Sequence, residues 1–316
     1  MKTRFVFILI LPFILFLIVA FVVPLLLGVR IAFFPGETFS LDKLFVIHSF
    51  SLSNFHEAFS TILDSGLLDA LRNTIVYTLC VTLGCIVFGL FGAMIVMQKF
   101  RSAGVVRILL LLSWVVPTYI VGLLWSFMWQ QDEGVINTVL FDYLHWDKIS
   151  GAFGAVWEYS KNGLLVKPNW LTGPNTIWAI IIPTIWRNWP FCMMMFLSGL
   201  SAIPHDIYEV AEIDGVTARE RFFHITLPIL RPIFALILLE SLVVNVYSFN
   251  LVAMMFGNAA GFPGKYGDLL MTYIYRTSFQ TWNFGVGAAL GTLLMMMMLA
   301  SVSVWYHSFA KDFKNG

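Results

Sequence analysis

Arg187 and Glu240 are ionisable residues set inside long runs that are otherwise apolar. A charge in such a medium must face water, a ligand or a counter-charge. Arg187 sits in TIWRNWPF, which also supplies Asn188 and Phe191, and Trp114 stands shortly before Pro117 in another run. Ser241, Asn245 and Ser248 follow Glu240 at spacings of four and three, which places them on one face of a helix. Aromatic faces, amides and hydroxyls can hold a polar solute without changing it. The competing reading is packing, because Trp and Phe fill space and Ser and Asn bond one helix to another. Covalent chemistry has little support. The six histidines lie outside the apolar runs or at their ends, and Cys80, Cys85 and Cys192 fall within them at no metal-ligand spacing. No catalytic residue and no metal site is expected, and the cysteines read as small packing residues.

The runs that carry these residues define the solvent. Hydrophobic residues make up 59% of the 316 and charged residues 12%, against about 45–50% and about 25% in ordinary soluble domains. Such a chain cannot cover itself in water, so its medium is lipid. A hydrocarbon core about 30 Å thick needs about 20 apolar residues of helix. Six stretches qualify, roughly 5–27, 74–97, 108–130, 175–199, 232–256 and 284–306. They are continuous rather than alternating, which predicts an all-α polytopic membrane protein and excludes a barrel. The first run is too long for a signal-peptide core and no small-x-small site follows it, so a retained span is expected. Pro190 is expected to kink the fourth span. A net charge of +1 offers no broad basic face to nucleic acid.

Orientation follows from Lys and Arg near the span ends. Lys2, Arg4, Lys99, Arg101, Arg107, Arg219, Arg221, Arg231, Lys311 and Lys314 are concentrated on one side. Arg30, Lys43, Arg72, Lys148, Lys161, Lys167, Lys265 and Arg276 are spread over longer segments on the other. Both termini are therefore expected in the cytoplasm. The long outer segment 131–174, with Trp146, Trp157 and Trp170, is expected to include a helix lying along the membrane interface.

EVAEIDGVTARERFFHITLP, residues 209–228, interrupts this apolar pattern on the cytoplasmic side with Glu209, Glu212, Asp214, Arg219, Glu220 and Arg221. Pro204 suits the first position of a helix. Ile207, Val210, Ala211 and Ile213 continue that helix, and Asp214-Gly215 is a turn signal requiring φ > 0. A second short helix, TARERFFHI, is expected before Leu227-Pro228 and Pro232. A solvated loop would account for the charges. It would not need Ala211 in mid-helix or the Phe222-Phe223 pair at the base, which suit a helix pressed onto a partner protein.

These residues resemble a known signature. Glu209, Ala211 and Gly215, then Ile225, Leu227 and Pro228, match the E-A-A-x-x-x-G-x(9)-I-x-L-P loop of ABC importer permeases, with Val210 and Val216 as mild departures. LPFILFLIVAFVVPLLLGVRIAFF, LRNTIVYTL, GVINTVL, the WLTGPN…IIIPTIWRNWPF approach and YIYRTSFQ…NFGVGAAL look like the maltose-type carbohydrate permeases, in particular the larger, sugar-contacting membrane subunit. The segment between Gly134 and Trp170 is longer than that pattern.

The resemblance implies a type I importer permease fold with three parts: 1–73, an N-terminal span and external segment; 74–307, a core of five spans with a coupling helix at about 203–228; and 308–316, a cytoplasmic tail. It implies that Glu209, Ala211, Asp214, Gly215, Ile225, Leu227 and Pro228 couple the chain to an ATPase. It implies that Trp114, Arg187, Asn188, Phe191, Ser241, Asn245 and Ser248 line a path for a sugar or oligosaccharide. The implied partners are a second, different permease chain, two ATPase subunits and an extracytoplasmic solute-binding protein, in a bacterial or archaeal cytoplasmic membrane. No cofactor is expected in this chain: the resemblance implies that ATP and Mg belong to the ATPase subunits, and the nearest approach to a phosphate-binding loop here, GFPGKY at 261–266, has the wrong spacing. The chain is not expected to be an enzyme itself. Alternative solutes are a phosphate ester, an acidic oligosaccharide or a peptide. A secondary transporter is a further alternative, although neither an internal repeat nor a chain of membrane acids is present apart from Glu240. For Arg187 two readings stand side by side: an ion pair with Glu240, or a guanidinium in the solute path.

Overall fold

The computed structural model describes residues 2–33, 50–60, 66–98, 101–152, 157–160, 165–257 and 262–310. Lys43, Lys99, Lys161, Lys311 and Lys314 of the orientation argument, with most of the expected tail, lie outside them. The described chain is helical, with one isolated bridge between Tyr159 and Leu165. The helices are α1 (Lys2–Leu17), α2 (Val23–Ala32), α3 (Ser53–Ser60), α4 (Leu67–Met97), α5 (Ala103–Val115), α6 (Thr118–Met128), α7 (Thr176–Ser201), α8 (His205–Ile213), α9 (Ala218–Arg221), α10 (Arg231–Val246), α11 (Asn250–Met255) and α12 (Phe284–Phe309). Four stretches can cross a membrane unbroken: Leu9–Ala32, α4, α7 and α12. The count reaches six if α5 with α6, bent by 88°, and Ala218–Ile229 with α10, bent by 62°, are each one span.

The chain divides into two compact units. One comprises Met1–Leu68 and Tyr273–Ser301. Within it the Asn54 amide donates to the carbonyls of Ile31 and Ala32, satisfying the end of α2, and Asn283 donates to Glu57. The other comprises Asp69–Thr272 and Val302–Gly316 and holds a continuous apolar core through Tyr77, Val81, Ile180, Met193, Phe196 and Ile237.

Lipid supplies no hydrophobic drive between helices, so close backbone approach at small residues holds them. α4 and α7 meet this way. A Cβ on Gly89 would lie 2.8 Å from Cys192 Cβ and 3.0 Å from the Met193 nitrogen, and one on Gly92 would lie 2.8 Å from the Trp189 ring. Gly84 faces Ile185 more tightly still. Gly122 does the same for α6 against α11, where a Cβ would be 2.7 Å from the Leu251 carbonyl oxygen. Cys85 and Cys192 are buried free thiols and Cys80 is half-buried, as packing residues should be.

The fourth span stays helical through Pro183 and Pro190, both buried within α7. The break lies instead in the third span, where Val116 (ψ 126) and Pro117 (ψ 137) are extended between α5 and α6; the residue before a proline disfavours the helical region. The fifth span is also interrupted, between α10 and α11, at Phe249 (φ −135, ψ −53). The outer segment holds a six-residue helix at Trp146–Gly151. Much of that segment is instead tied by Asn137, which donates to the carbonyls of Gln131 and Pro168 and accepts from Trp170.

Gly89→Val and Gly122→Val should each destabilise the purified protein by at least the about 1–3 kcal/mol of core overpacking. Gly104→Ala, where a Cβ meets nothing within 4 Å, should leave the melting temperature unchanged or slightly raised. Thermal melts of the three variants in detergent check this.

Candidate functional site

The two interruptions line one chamber. Its volume is about 160 Å³, and its walls include Thr118 after the first break and Tyr247, Ser248, Phe249 and Asn250 at the second. Tyr77 from α4, with Thr184, Arg187 and Asn188 from α7, completes the polar lining. Non-helical backbone at membrane depth is tolerated where it lines a cavity, and binding sites gather at discontinuous spans. Below the chamber, towards the 204–230 loop, lies a cavity of about 10 Å³, room for roughly one water. Trp114, Asn188, Phe191, Glu240, Ser241 and Asn245 line it. Asn188, Val244 and Asn245 border both spaces.

All seven sequence-derived candidates therefore fall on this pair of cavities. Trp114, in the last turn of α5, stacks on Phe191 of α7 with ring centroids 5.4 Å apart and planes 15° apart. Asn245 is 3% exposed. Its amide nitrogen makes one long bond, 3.5 Å, to Thr82, and its oxygen is free to face the cavities. Tyr77 was not singled out by sequence. It is buried, and its hydroxyl meets Ser248 at 3.0 Å and Thr184 at 3.2 Å. Thr118 was missed too. A polar residue in the phase of neighbouring candidates was the available signal for Tyr77, and position after a span-breaking proline was the signal for Thr118.

Arg187 does not pair with Glu240. Its Nε donates to the Val116 carbonyl at 3.1 Å and its Nη1 to Asn188 Oδ1 at 2.9 Å. No carboxylate lies within ion-pair distance of it among the described residues. The guanidinium borders the chamber, whereas Glu240 borders the smaller cavity. Arg187 thus caps the carbonyl that the break in the third span leaves without a helical partner.

The 204–230 loop is built as a braced turn. Pro204 is the N-cap of α8 (φ −59, ψ 136) rather than its first residue. At the far end Gly215 N–H donates to Glu212 at 3.1 Å and Val216 N–H to Ala211 at 3.0 Å. This is a Schellman closure with Gly215 at φ +74. Thr217 then caps α9 with a capping box: Glu220 Oε2 accepts from the Thr217 amide at 2.9 Å and its hydroxyl at 2.7 Å. Arg221 reaches back to Glu212 at 3.5 Å.

Ala211 is 6% exposed and seats α8 on its own chain. Tyr208 of the same face bonds Thr226 at 2.9 Å. The outward apolar face is Ile207, Val210 and Ile213, the last 84% exposed, and Phe223 is exposed as well. Glu209 and Asp214 are exposed, Ile225 and Leu227 are half-buried, and Pro228 is exposed. A cavity of about 590 Å³ opens beneath α8, lined by Met94, Met97, Tyr208, Glu209, Arg221 and Phe222 among others.

Two predictions follow from this geometry. Arg187→Gln orphans the Val116 carbonyl and should cost about 1–3 kcal/mol. In a double-mutant cycle with Glu240→Gln, read by thermal melts, the coupling should stay below about 0.5 kcal/mol; a larger value would restore the ion pair. The second concerns pH. The hydroxyl and amide of Thr217 hold the Glu220 carboxyl below the usual carboxylate range. A depressed folded pKa stabilises fully above the unfolded value, about 4.3, and that contribution is lost as pH falls through the folded value. Hydrogen exchange of residues 216–222, corrected for intrinsic rates, should therefore lose protection on acidification below about pH 4.3. Thr217→Ala should be faster at neutral pH and lack that additional transition.

Residues 85–315 match the family of binding-protein-dependent transport system inner membrane components. The sulfoquinovosyl glycerol transport system permease of Agrobacterium fabrum is 30% identical over 233 residues, 74% of this chain and 68% of that protein. The trehalose/maltose transport system permease of Thermococcus litoralis is 30% identical over 221 residues, 69% and 66% of the two. The maltose/maltodextrin permease of Escherichia coli is 30% identical over 235 residues, 71% of this chain but 42% of that protein, so the match spans less than half of that relative. Among solved structures, a chain of a bacterial ABC transporter that imports the acidic polysaccharide alginate superimposes with a TM-score of 0.77 at 19% identity, over 98% of this chain and 96% of that one. The fold is thus that of an ABC importer permease, and the chain belongs to the binding-protein-dependent transport system inner membrane components.

Proposed function

We propose that this chain translocates a sugar or oligosaccharide across the cytoplasmic membrane of a bacterium or archaeon, as one of two different permease subunits of an ATP-driven importer. The observation that carries this reading is the chamber between the broken spans. Polar groups from α4, α7 and α10 meet there, with the Trp114–Phe191 stack on the adjoining cavity. The named relatives transport sulfoquinovosyl glycerol, trehalose, maltose and maltodextrin. At about 160 Å³ the chamber is smaller than the about 300–1,000 Å³ of ordinary ligand sites, which suits a path completed by a second permease wall. A solute-binding protein delivers the sugar from outside, and both termini face the cytoplasm.

ATP and Mg are held by two separate ATPase subunits. The braced 204–230 loop couples to them through its outward face of Ile207, Val210 and Ile213, with Glu209 and Asp214 at its edge. A lever needs stiffness, and the Schellman closure, the capping box and the Arg221–Glu212 pair supply it.

Gly215→Pro tests this role. Proline fixes φ near −65° where Gly215 has φ +74, and it removes the N–H that bonds Glu212. The variant, and separately Glu209→Lys, should assemble with its partners while sugar- and binding-protein-stimulated ATP hydrolysis falls at least about tenfold. Affinity of the binding protein for its sugar should not change. Unaltered stimulated hydrolysis in both variants would sink the coupling role.

A further inference from the structure

We infer that the chamber reads an anionic group, a carboxylate, sulfonate or phosphate on the transported sugar, and that Arg187 is the residue that reads it. The inference rests on the proposed sugar path and adds the charge of its cargo. Arg187 is the charged side chain among the chamber's lining residues, and no acid accompanies it there. Two of its five N–H donors are engaged, both by neutral oxygens. Those bonds hold the guanidinium in place without neutralising it.

The surroundings point the same way. α6 begins at the chamber wall with Thr118. Ile120 and Val121 both donate back to the Pro117 carbonyl, so the preceding amides stand at the free, partially positive end of that helix. Asn188 and Ser248 add short polar groups that can share an oxyanion with the guanidinium. Asn245, almost fully buried with its amide oxygen unclaimed, marks the boundary with the lower cavity.

Glu240 lies on the other side of that boundary. It carries no ion-pair partner among the described residues and lines the lower cavity with Ser241, Asn188 and the Trp114–Phe191 stack. A carboxyl group there can bond hydroxyls and offers an anion no donor field like that of Arg187. A sugar in the path keeps its anionic end on the Arg187 side of Asn188 and Asn245, with its hydroxyl-bearing carbons towards Glu240.

The test uses the complete importer in proteoliposomes with its binding protein, and a panel of mono- to pentasaccharides in matched forms. Each is tried as the neutral sugar and as its uronic acid, sulfonate or phosphate ester. The expected result is ATP-dependent uptake of at least one anionic form with kcat/KM tenfold or more above its neutral partner. Arg187→Gln should erase that preference, and Arg187→Lys, which keeps the charge but loses the Nε bond to Val116, should keep most of it. Binding-protein affinities, measured separately, should be the same throughout. Neutral forms carried as well as or better than anionic ones would overturn the inference while leaving the sugar path standing. So would a preference untouched in Arg187→Gln, or lost equally in Arg187→Lys, which marks a purely structural bond. Failure to carry any sugar of either kind would overturn the sugar path itself, and this inference with it.

Discussion

A carbonyl that loses its helical partner inside a bilayer has no water to turn to, and leaving it unpaired costs several kcal/mol. The bond from Arg187 Nε to the Val116 carbonyl answers that constraint. With it, the third span can turn by 88° at Val116–Pro117, and α5 and α6 can each pack in their own direction, α5 on α7 and α6 on α11. Without the turn, Trp114 would not meet Phe191, and Thr118 would not open onto the chamber. The charge needed to seal one defect in the backbone is thus placed beside the space the defect creates. The same residue that makes the fold affordable in lipid gives the cavity its sign.

The rest of the path depends on rigidity supplied without large apolar contact. Glycines let α4 approach α7, and α6 approach α11, at distances no side chain would permit. The buried hydroxyl cluster of Tyr77, Thr184 and Ser248 ties α4, α7 and the end of α10 together at the chamber. The 204–230 loop is stiff for a different reason. It lies among charges where water competes, so its order comes from local closure: αL at Gly215, reciprocal bonds between Thr217 and Glu220, and Ala211 small enough to seat α8 closely. Exposed Ile213 is then a cost in an isolated chain and a gain where a partner covers it.

Much of this was legible in the residues. Uniform apolar runs call for helices, because lipid admits few other solutions, but do not fix how many of them cross unbroken. The Gly215 turn was legible because only one residue type tolerates that φ, and Asp214-Gly215-Val216-Thr217 followed by Glu220 spells the closure and the cap in order. The spacing of Ser241, Asn245 and Ser248 gave one face of α10 for the same periodic reason. What periodicity cannot give is where a span stops being straight. Pro190 and Pro117 look alike in sequence, yet α7 stays helical through the first while the third span breaks at the second, where the carbonyl before the proline finds Arg187. That partner is distant in sequence. Which face of α8 rests on its own chain was not legible for a related reason, since a helix that is apolar on two sides does not say which side that is.

Arg187 does not pair with Glu240, and their separation carries the last step. The interruptions in the third and fifth spans open a cavity on one side of Asn188 and Asn245 and leave a much smaller one on the other. The two charges end on opposite sides of that boundary. Had they paired, each would have cancelled the other and the path would be lined by hydroxyls, amides and rings alone. Held apart, the cation is tied by neutral oxygens beside the larger cavity and the acid stays beside the aromatic stack, so each keeps its own surroundings on its side of Asn188 and Asn245.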